Sequence, residues 1–198
     1  MIEHPDYADL LSIISRVEAT AVAFKGVLFR ACSPEYANLR DLLAGEGARK
    51  FGGRWNPPGS FPVVYLAQSM EGAIAETVGV AGHYGFDPAT RLPMTLVAVD
   101  ARLDRVLDLT NAAVRKALKV TIADMHRCPW RDQNIAGNEA LTQALGRAAH
   151  AAGLQGIRVT SSVRRTLLNV NVFPKNLPGT DNLKIRRADR LPPAPGVL

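Results

Sequence analysis

With 198 residues, 47% of them hydrophobic and 21% charged, the chain is long enough to bury a full core, and its composition excludes a disordered or fibrous protein. No apolar run approaches the length of a membrane span, and the acidic start, MIEHPDYADLLS, lacks the basic-then-apolar layout of a signal peptide, so a cytoplasmic location is expected. The net charge of +6 comes from 18 arginines and 6 lysines scattered along the chain, a pattern that suits a nucleic-acid partner and a phosphorylated small molecule equally well.

In chain order, residues 8–19 are expected to form a short opening helix, and GVLFRA at 26–31 a strand with Arg30 near its end. Cys32 follows; with the distant Cys128 it makes a pair of free thiols in a reducing compartment. A helix should start at Pro34, a favoured first-turn position after Ser33, and run over 34–43. PVVYLA at 62–67 is short and β-branched and predicts a buried strand, with Val63, Tyr65 and Ala67 on one face. Ser69 caps a helix over 70–80. Strands are expected at 92–101 and 105–109. Apolar spacing at Val114, Ala117, Leu118, Ile122 and Met125 then predicts one helix over 110–126, with Arg115, Lys116 and Lys119 on its solvated side. A further helix runs from a cap at Asn138 to a stop at Gly153. Two strands follow, GIRVTSS at 156–162 and LLNVNVF at 167–173. The second alternates Leu168, Val170 and Val172 against Asn169 and Asn171 and should be half-buried. Residues 191–198 form a proline-rich tail, frayed or extended. Strands and helices mix without strict βαβ alternation, so the whole chain, 1–198, is expected to be one α+β domain.

The densest chemistry lies in GGRWNPPGSFPVVYLAQSMEGAIAE, residues 52–76. Gly52-Gly53 permits a tight turn or a close backbone approach, and Arg54 follows with a planar fork suited to phosphate or carboxylate. Trp55 adds an apolar plate and Asn56 a donor and an acceptor. On the following helix Glu76 has Gly72, Ala73, Gly79 and Val80 three and four residues away, so its carboxylate needs a partner or an upward pKa shift. Taken singly, these are a turn with a surface arginine, a core tyrosine and a helix's wet side. Three polar groups delivered by three consecutive elements suit a pocket more than a core. Several chemistries are missing from the sequence: there is no G-x-G-x-x-G, Walker loop, H-E-x-x-H or G-x-S-x-G. His126 and Cys128 stand two apart, too little for a metal site, and no metal is expected.

LFRA at 28–31, FGGRWNPPG at 51–59, VVYLAQSMEGAIAE at 63–76, TQALGRAAHAAGLQGIRVTSS at 142–162 and NVNVFPKNL at 169–177 together resemble the RES-domain family, in the family's order. The resemblance covers about residues 26–177 and implies a fold like that of ADP-ribosylating toxins, a mixed, largely antiparallel β core flanked by helices. It implies a toxin that consumes NAD by breaking the nicotinamide–ribose bond, passing ADP-ribose to water, phosphate or a protein. It also implies a helix-turn-helix (Xre-like) antitoxin as partner. The family's arginines match Arg30 and Arg54, its tyrosine Tyr65, its glutamate Glu76 and its serine Ser161, with Ser162 adjacent. Thr160 stands where members commonly carry proline.

On that resemblance Arg30, Tyr65 and Glu76 are the expected catalytic residues, and Arg54, Trp55, Asn56 and Ser161 the expected NAD-binding ones. Arginines suit a pyrophosphate, a tyrosine ring suits a nicotinamide or ribose face, and a carboxylate suits an oxocarbenium-like ribose. Two other readings stand beside it. One is transfer of ADP-ribose to a host protein, which uses the same half-reaction. The other is a non-enzymatic nucleic-acid-binding module, which the pI near 9.7 invites and the lack of basic clusters interleaved with aromatics disfavours. A degenerate member that only binds its antitoxin would not need Arg54, Tyr65 and Glu76 together.

Overall fold

The computed structural model describes residues 1–17, 21–83, 85 and 87–193. Helix α1 (Tyr7–Val17) leads to the long strand β1 (Val22–Cys32), the short helices α2 (Leu39–Ala44) and α3 (Glu46–Phe51), strand β2 (Val64–Ala67) and helix α4 (Met70–His83). Strand β3 (Thr95–Asp108) is followed by α5 (Ala112–Ala117), α6 (Ile122–Arg127), α7 (Trp130–Ile135) and α8 (Leu141–Ala151). Strands β4 (Gly156–Thr160), β5 (Leu168–Val172) and β6 (Leu183–Ile185) complete the sheet. No helix among the described residues is long and apolar enough to cross a membrane.

The strands are ordered β1-β2-β5-β4-β3-β6; β3 and β4 run parallel and the other pairings are antiparallel. The fold is thus α+β with a mixed, largely antiparallel sheet. Strand β3 also pairs with β1, from Cys32↔Thr95 to Val22↔Val106, so β1, β2, β5, β4 and β3 close on one another and β6 flanks β3. Alternation then gives the sheet two distinct apolar faces. Leu28, Val64, Leu66, Val99, Val170 and Val172 fill one side. Ile157, Val159 and Phe173 on the other side meet Leu10 and Ile14 of α1 and the Ala144, Leu145, Ala148 and Ala149 stripe of α8.

The elements differ from the sequence expectation in instructive places. The strands expected at 92–101 and 105–109 are one strand: Ala101 and Leu103 are buried, Arg102 and Asp104 exposed, so the alternation runs straight through the charged residues. The helix expected over 110–126 breaks in two. Lys119 takes φ 56, and Thr121 starts α6 as a capping box, its hydroxyl accepting from the Asp124 N–H while Asp124 accepts from the Thr121 N–H. The helix expected from Pro34 is a 3-10 turn, Pro34–Tyr36. Asn38 then caps α2 by accepting from the Asp41 N–H. Asn138 does not cap α8; the helix begins after Ala140, whose N–H is taken by Gln143 Oε1 at 3.1 Å. Gly153, φ 75, lies just past its end as expected. Of the opening helix, residues 18 and 19, and of the tail, residues 194–198, lie outside the described residues.

Candidate active site

The segment between α3 and β2 forms a stapled turn. Helix α3 ends at Gly52, whose φ of 72 is open to glycine at little cost. Gly53 and Asn56 exchange backbone hydrogen bonds at 2.9 and 3.4 Å. Gln143, fully buried on α8, donates to the carbonyls of Gly53 (2.9 Å) and Asn56 (3.3 Å). Next along α8, Gly146 leaves room for the Trp55 carbonyl, which a Cβ there would overlap. The turn is thereby pinned between a helix and a strand, and Arg54 projects from it. Its Nη1 donates to the Met125 carbonyl at 2.9 Å and more weakly toward that of Cys128 at 3.4 Å, which sets the guanidinium's direction.

Tyr65 supports the same turn from β2. Its hydroxyl accepts from the Trp55 N–H at 3.0 Å and donates to Asn56 Oδ1 at 2.9 Å. Asn56 in turn donates to the Ala48 carbonyl at 2.7 Å. Gly53 completes this arrangement, since a Cβ there would overlap the Tyr65 hydroxyl. Burial pushes the Tyr65 pKa upward, against the weaker pull of the Trp55 N–H and Arg54, so the side chain is a neutral phenol.

Glu76 sits on α4, whose start is fixed by Ser69: its hydroxyl accepts from the Gly72 N–H at 3.0 Å. The partner that the carboxylate needs is twofold. Glu76 Oε1 accepts from Ser161 Oγ at 2.6 Å and from Asn169 Nδ2 at 2.7 Å. Ser161 itself is held by the N–H groups of Val163 (3.1 Å) and Arg164 (3.0 Å), which its oxygen accepts. Oε2 takes no hydrogen bond from the described residues. At the start of α4, Glu71 pairs with Arg164 at the surface and plays no part in this arrangement.

These groups meet in one cleft of about 820 Å³. Arg30, Arg54, Tyr65 and Glu76 line it, with Asn169 and Asn171 of β5, His126 of α6, and Ser162. Phe51 and Ile135, 71% and 87% exposed, form an apolar rim. Arg30 is directed by a 2.7 Å hydrogen bond from Nη1 to the Leu42 carbonyl, and burial lowers the pKa of both cleft arginines. His126 Nε2 lies 2.8 Å from Thr160 Oγ1, so the threonine that replaces the expected proline has a partner. Burial first, then the charges of Arg165 and Arg54, hold His126 below its ordinary pKa, against the raising effects of Thr160 and Glu76.

Three residues expected to touch a ligand do not reach the cleft. Trp55 is 4% exposed and packs in the core beneath the turn, while Asn56 is sealed at 0%. Both serve the Tyr65 hydroxyl instead. Ser161, 1% exposed, stands behind Glu76, and its neighbour Ser162 lines the wall. Gln143, Asn169, Asn171 and His126 were not singled out from the sequence as site residues. Gln143 carries no sequence signal beyond that of a helix polar residue, and the asparagines only alternate with the apolar residues of a half-buried strand. Cys128 Sγ faces Thr142 and Gln133 rather than His126, and among the described residues no group of three or more His, Cys, Asp or Glu side chains is placed to hold a metal ion.

The chain belongs to the RES domain family, whose model matches residues 27–193. The chain is 32% identical over 157 residues, 78% of its own length and 78% of the relative's, to the NAD(+) phosphorylase MbcT of Mycobacterium tuberculosis. The same figures hold for the Mycobacterium bovis protein of that name. Its fold is similar to that in the crystal structure of the M. tuberculosis MbcT-MbcA toxin-antitoxin complex. The TM-score is 0.72 at 28% identity, covering 90% of this chain and 89% of that one.

Proposed function

We propose that this chain is the toxin of a toxin–antitoxin pair and arrests growth in the cytoplasm by consuming NAD, with phosphate as acceptor. The relatives' name, NAD(+) phosphorylase, and the solved complex of one with its antitoxin support the reading. The observation that carries it is Glu76, presented to an arginine-lined cleft with one oxygen bonded by Ser161 and Asn169 and the other taking no hydrogen bond from the described residues.

The chemistry follows from that placement. Arg30 and Arg54 attract the dinucleotide's pyrophosphate, with fixed donors in a partly desolvated site. The Tyr65 ring supplies a flat apolar wall for the nicotinamide or ribose. The bond between ribose C1′ and the nicotinamide nitrogen breaks with its electron pair going to nitrogen, which leaves as neutral nicotinamide. The ribose passes through an oxocarbenium-like state, and Glu76 Oε2 binds a ribose hydroxyl and stabilises the growing positive charge. A phosphate oxygen then bonds C1′, giving ADP-ribose 1″-phosphate. Ser161 acts as a positioning residue for Glu76. The antitoxin, of helix-turn-helix (Xre-like) type, covers the apolar rim of Phe51 and Ile135 and closes the cleft.

The test is loss of NAD with purified protein, with and without phosphate, for wild type and Glu76→Gln. Glutamine keeps an oxygen for Ser161 and Asn169 while removing the charge, so turnover should drop on the order of 10²–10³-fold with stability unchanged. Stable NAD in wild type would sink the reading. Labelled protein in a lysate given radioactive NAD would replace phosphate by a protein acceptor.

A further inference from the structure

Strand β5 presents Asn169 and Asn171 on the same face, and both line the cleft. Their register partners on that face are Ala67 and Val159 for Asn169, and Tyr65 and Ile157 for Asn171. The row is therefore apolar apart from the two amides. Asn171 is 1% exposed, yet its Nδ2 has no hydrogen-bond partner, and Asn169 Oδ1 is also buried without one. Buried polar atoms are nearly always paired, and leaving two orphaned in one small region is costly. The orientation of Asn169 is not free: its Nδ2 is committed to Glu76, which turns Oδ1 away as an acceptor. One acceptor and one donor are thus buried without partners, two residues apart on a strand that lines the cleft, beside a tyrosine ring.

We infer that Asn169 and Asn171 form a seat for the carboxamide of nicotinamide, with Asn171 Nδ2 donating to its carbonyl and Asn169 Oδ1 accepting from its amino group. A carboxamide is a flat group carrying an acceptor and a donor side by side, complementary to that pair. Positions i and i+2 of a strand stand about 6.8 Å apart, which leaves room for one such group between two hydrogen bonds. The alternative occupant, a ribose diol, already has its partner in Glu76 Oε2. The seat fixes the ring's rotation about the scissile bond and opposes that bond to Glu76. It also rejects nicotinic acid, whose carboxylate would face Asn169 Oδ1 and the neighbouring Glu76 charge. The inference rests on the NAD-cleaving reading for its biological meaning, and its first test, ligand binding, does not depend on turnover.

The test is binding of nicotinamide alone, followed by saturation-transfer NMR on the full chain, with nicotinic acid and ADP-ribose as parallel probes. Wild type should bind nicotinamide and show no transfer to nicotinic acid. Asn171→Ala should weaken nicotinamide about tenfold, the effect of one neutral hydrogen bond, and leave ADP-ribose unchanged. Asn171→Asp keeps the size of the side chain, replaces the donor by an acceptor, and should abolish nicotinamide binding. Unchanged nicotinamide binding in both variants overturns the inference, as does a loss confined to ADP-ribose, which would assign the pair to the ribose. Should both variants misfold, wild type alone decides. It should prefer NAD to its nicotinic acid analogue by roughly 100-fold or more, since a site built for a hydrogen-bonding group rejects its substitute strongly; equal use overturns the inference. Stable NAD with intact, amide-specific nicotinamide binding would overturn the catalytic reading and leave the seat standing.

Discussion

Tyr65→Phe removes one oxygen and separates a structural hydroxyl from a catalytic one. In the wild type that oxygen accepts from the Trp55 N–H at 3.0 Å and donates to Asn56 Oδ1 at 2.9 Å. Neither partner has an alternative in water, since Trp55 is 4% and Asn56 0% exposed. Phenylalanine would keep the ring against the cleft and leave a buried donor and a buried acceptor unpaired. At roughly 1–3 kcal/mol for each orphaned group, with some relaxation of the turn, the expected loss is about 3 kcal/mol. For a chain of this size that lowers the melting temperature by about 6–12 °C. Urea unfolding, monitored by tryptophan fluorescence, gives the free energy directly. NAD turnover measured well below the transition should stay within roughly tenfold of wild type, because a proton-transferring hydroxyl would be worth 10²–10⁴-fold. A variant as stable as wild type but 100-fold or more slower would refute the reasoning and assign the hydroxyl to the substrate.

Two further substitutions probe the support of the site and the core behind it. Gly146→Ala gains helix propensity but drives a methyl into the Trp55 carbonyl, so the net effect should be a loss of about 2 kcal/mol in urea unfolding; equal or greater stability would mean that α8 does not clamp the turn. His150 stacks on Phe61 at 4.2 Å, and burial first, then the Lys175 charge, lower its pKa below 6.5. The unfolded chain takes that proton near pH 6.5 and the fold resists it, so stability is fully present above that pH and is lost as pH falls toward the folded value. His126, shifted the same way, adds to the slope, and His150→Phe should reduce the slope without abolishing it; an unchanged slope refutes the assignment.

Much of the fold was legible because its cues are local. The β-branched run before Ser69, the alternation of residues 168–172 and the serine cap of α4 each act within a few residues. The misreadings share a cause as well. The helix expected over 110–126 satisfied the apolar spacing throughout, yet Thr121 and Asp124 form a capping box that restarts the chain, and a cap outweighs a continuing stripe. The closure of the sheet was not legible. The β1–β3 pairing joins segments some seventy residues apart and depends on which strand edges remain open after the others have paired.

For the site, polar alternation alone assigns Asn169 and Asn171 to a strand's wet face, and the register explains why that step fails. Alternation states only that the two faces differ; what covers each face is decided by the neighbouring strands. Asn171 lies between Tyr65 and Ile157, and Asn169 between Ala67 and Val159, so each asparagine continues an apolar row. An amide in such a row loses water without gaining a protein partner unless something else supplies one. Asn169 gains Glu76 and keeps an acceptor to spare; Asn171 gains nothing from the described residues. The same reasoning runs the other way for Trp55 and Asn56, which looked like ligand groups because they follow Arg54. The turn that projects Arg54 into the cleft must direct its next two side chains into the protein, where Trp55 fills the core and Asn56 binds the Tyr65 hydroxyl. Adjacency in sequence therefore placed three residues at one candidate site, and the turn's geometry points one into the cleft and two into the protein that holds it there.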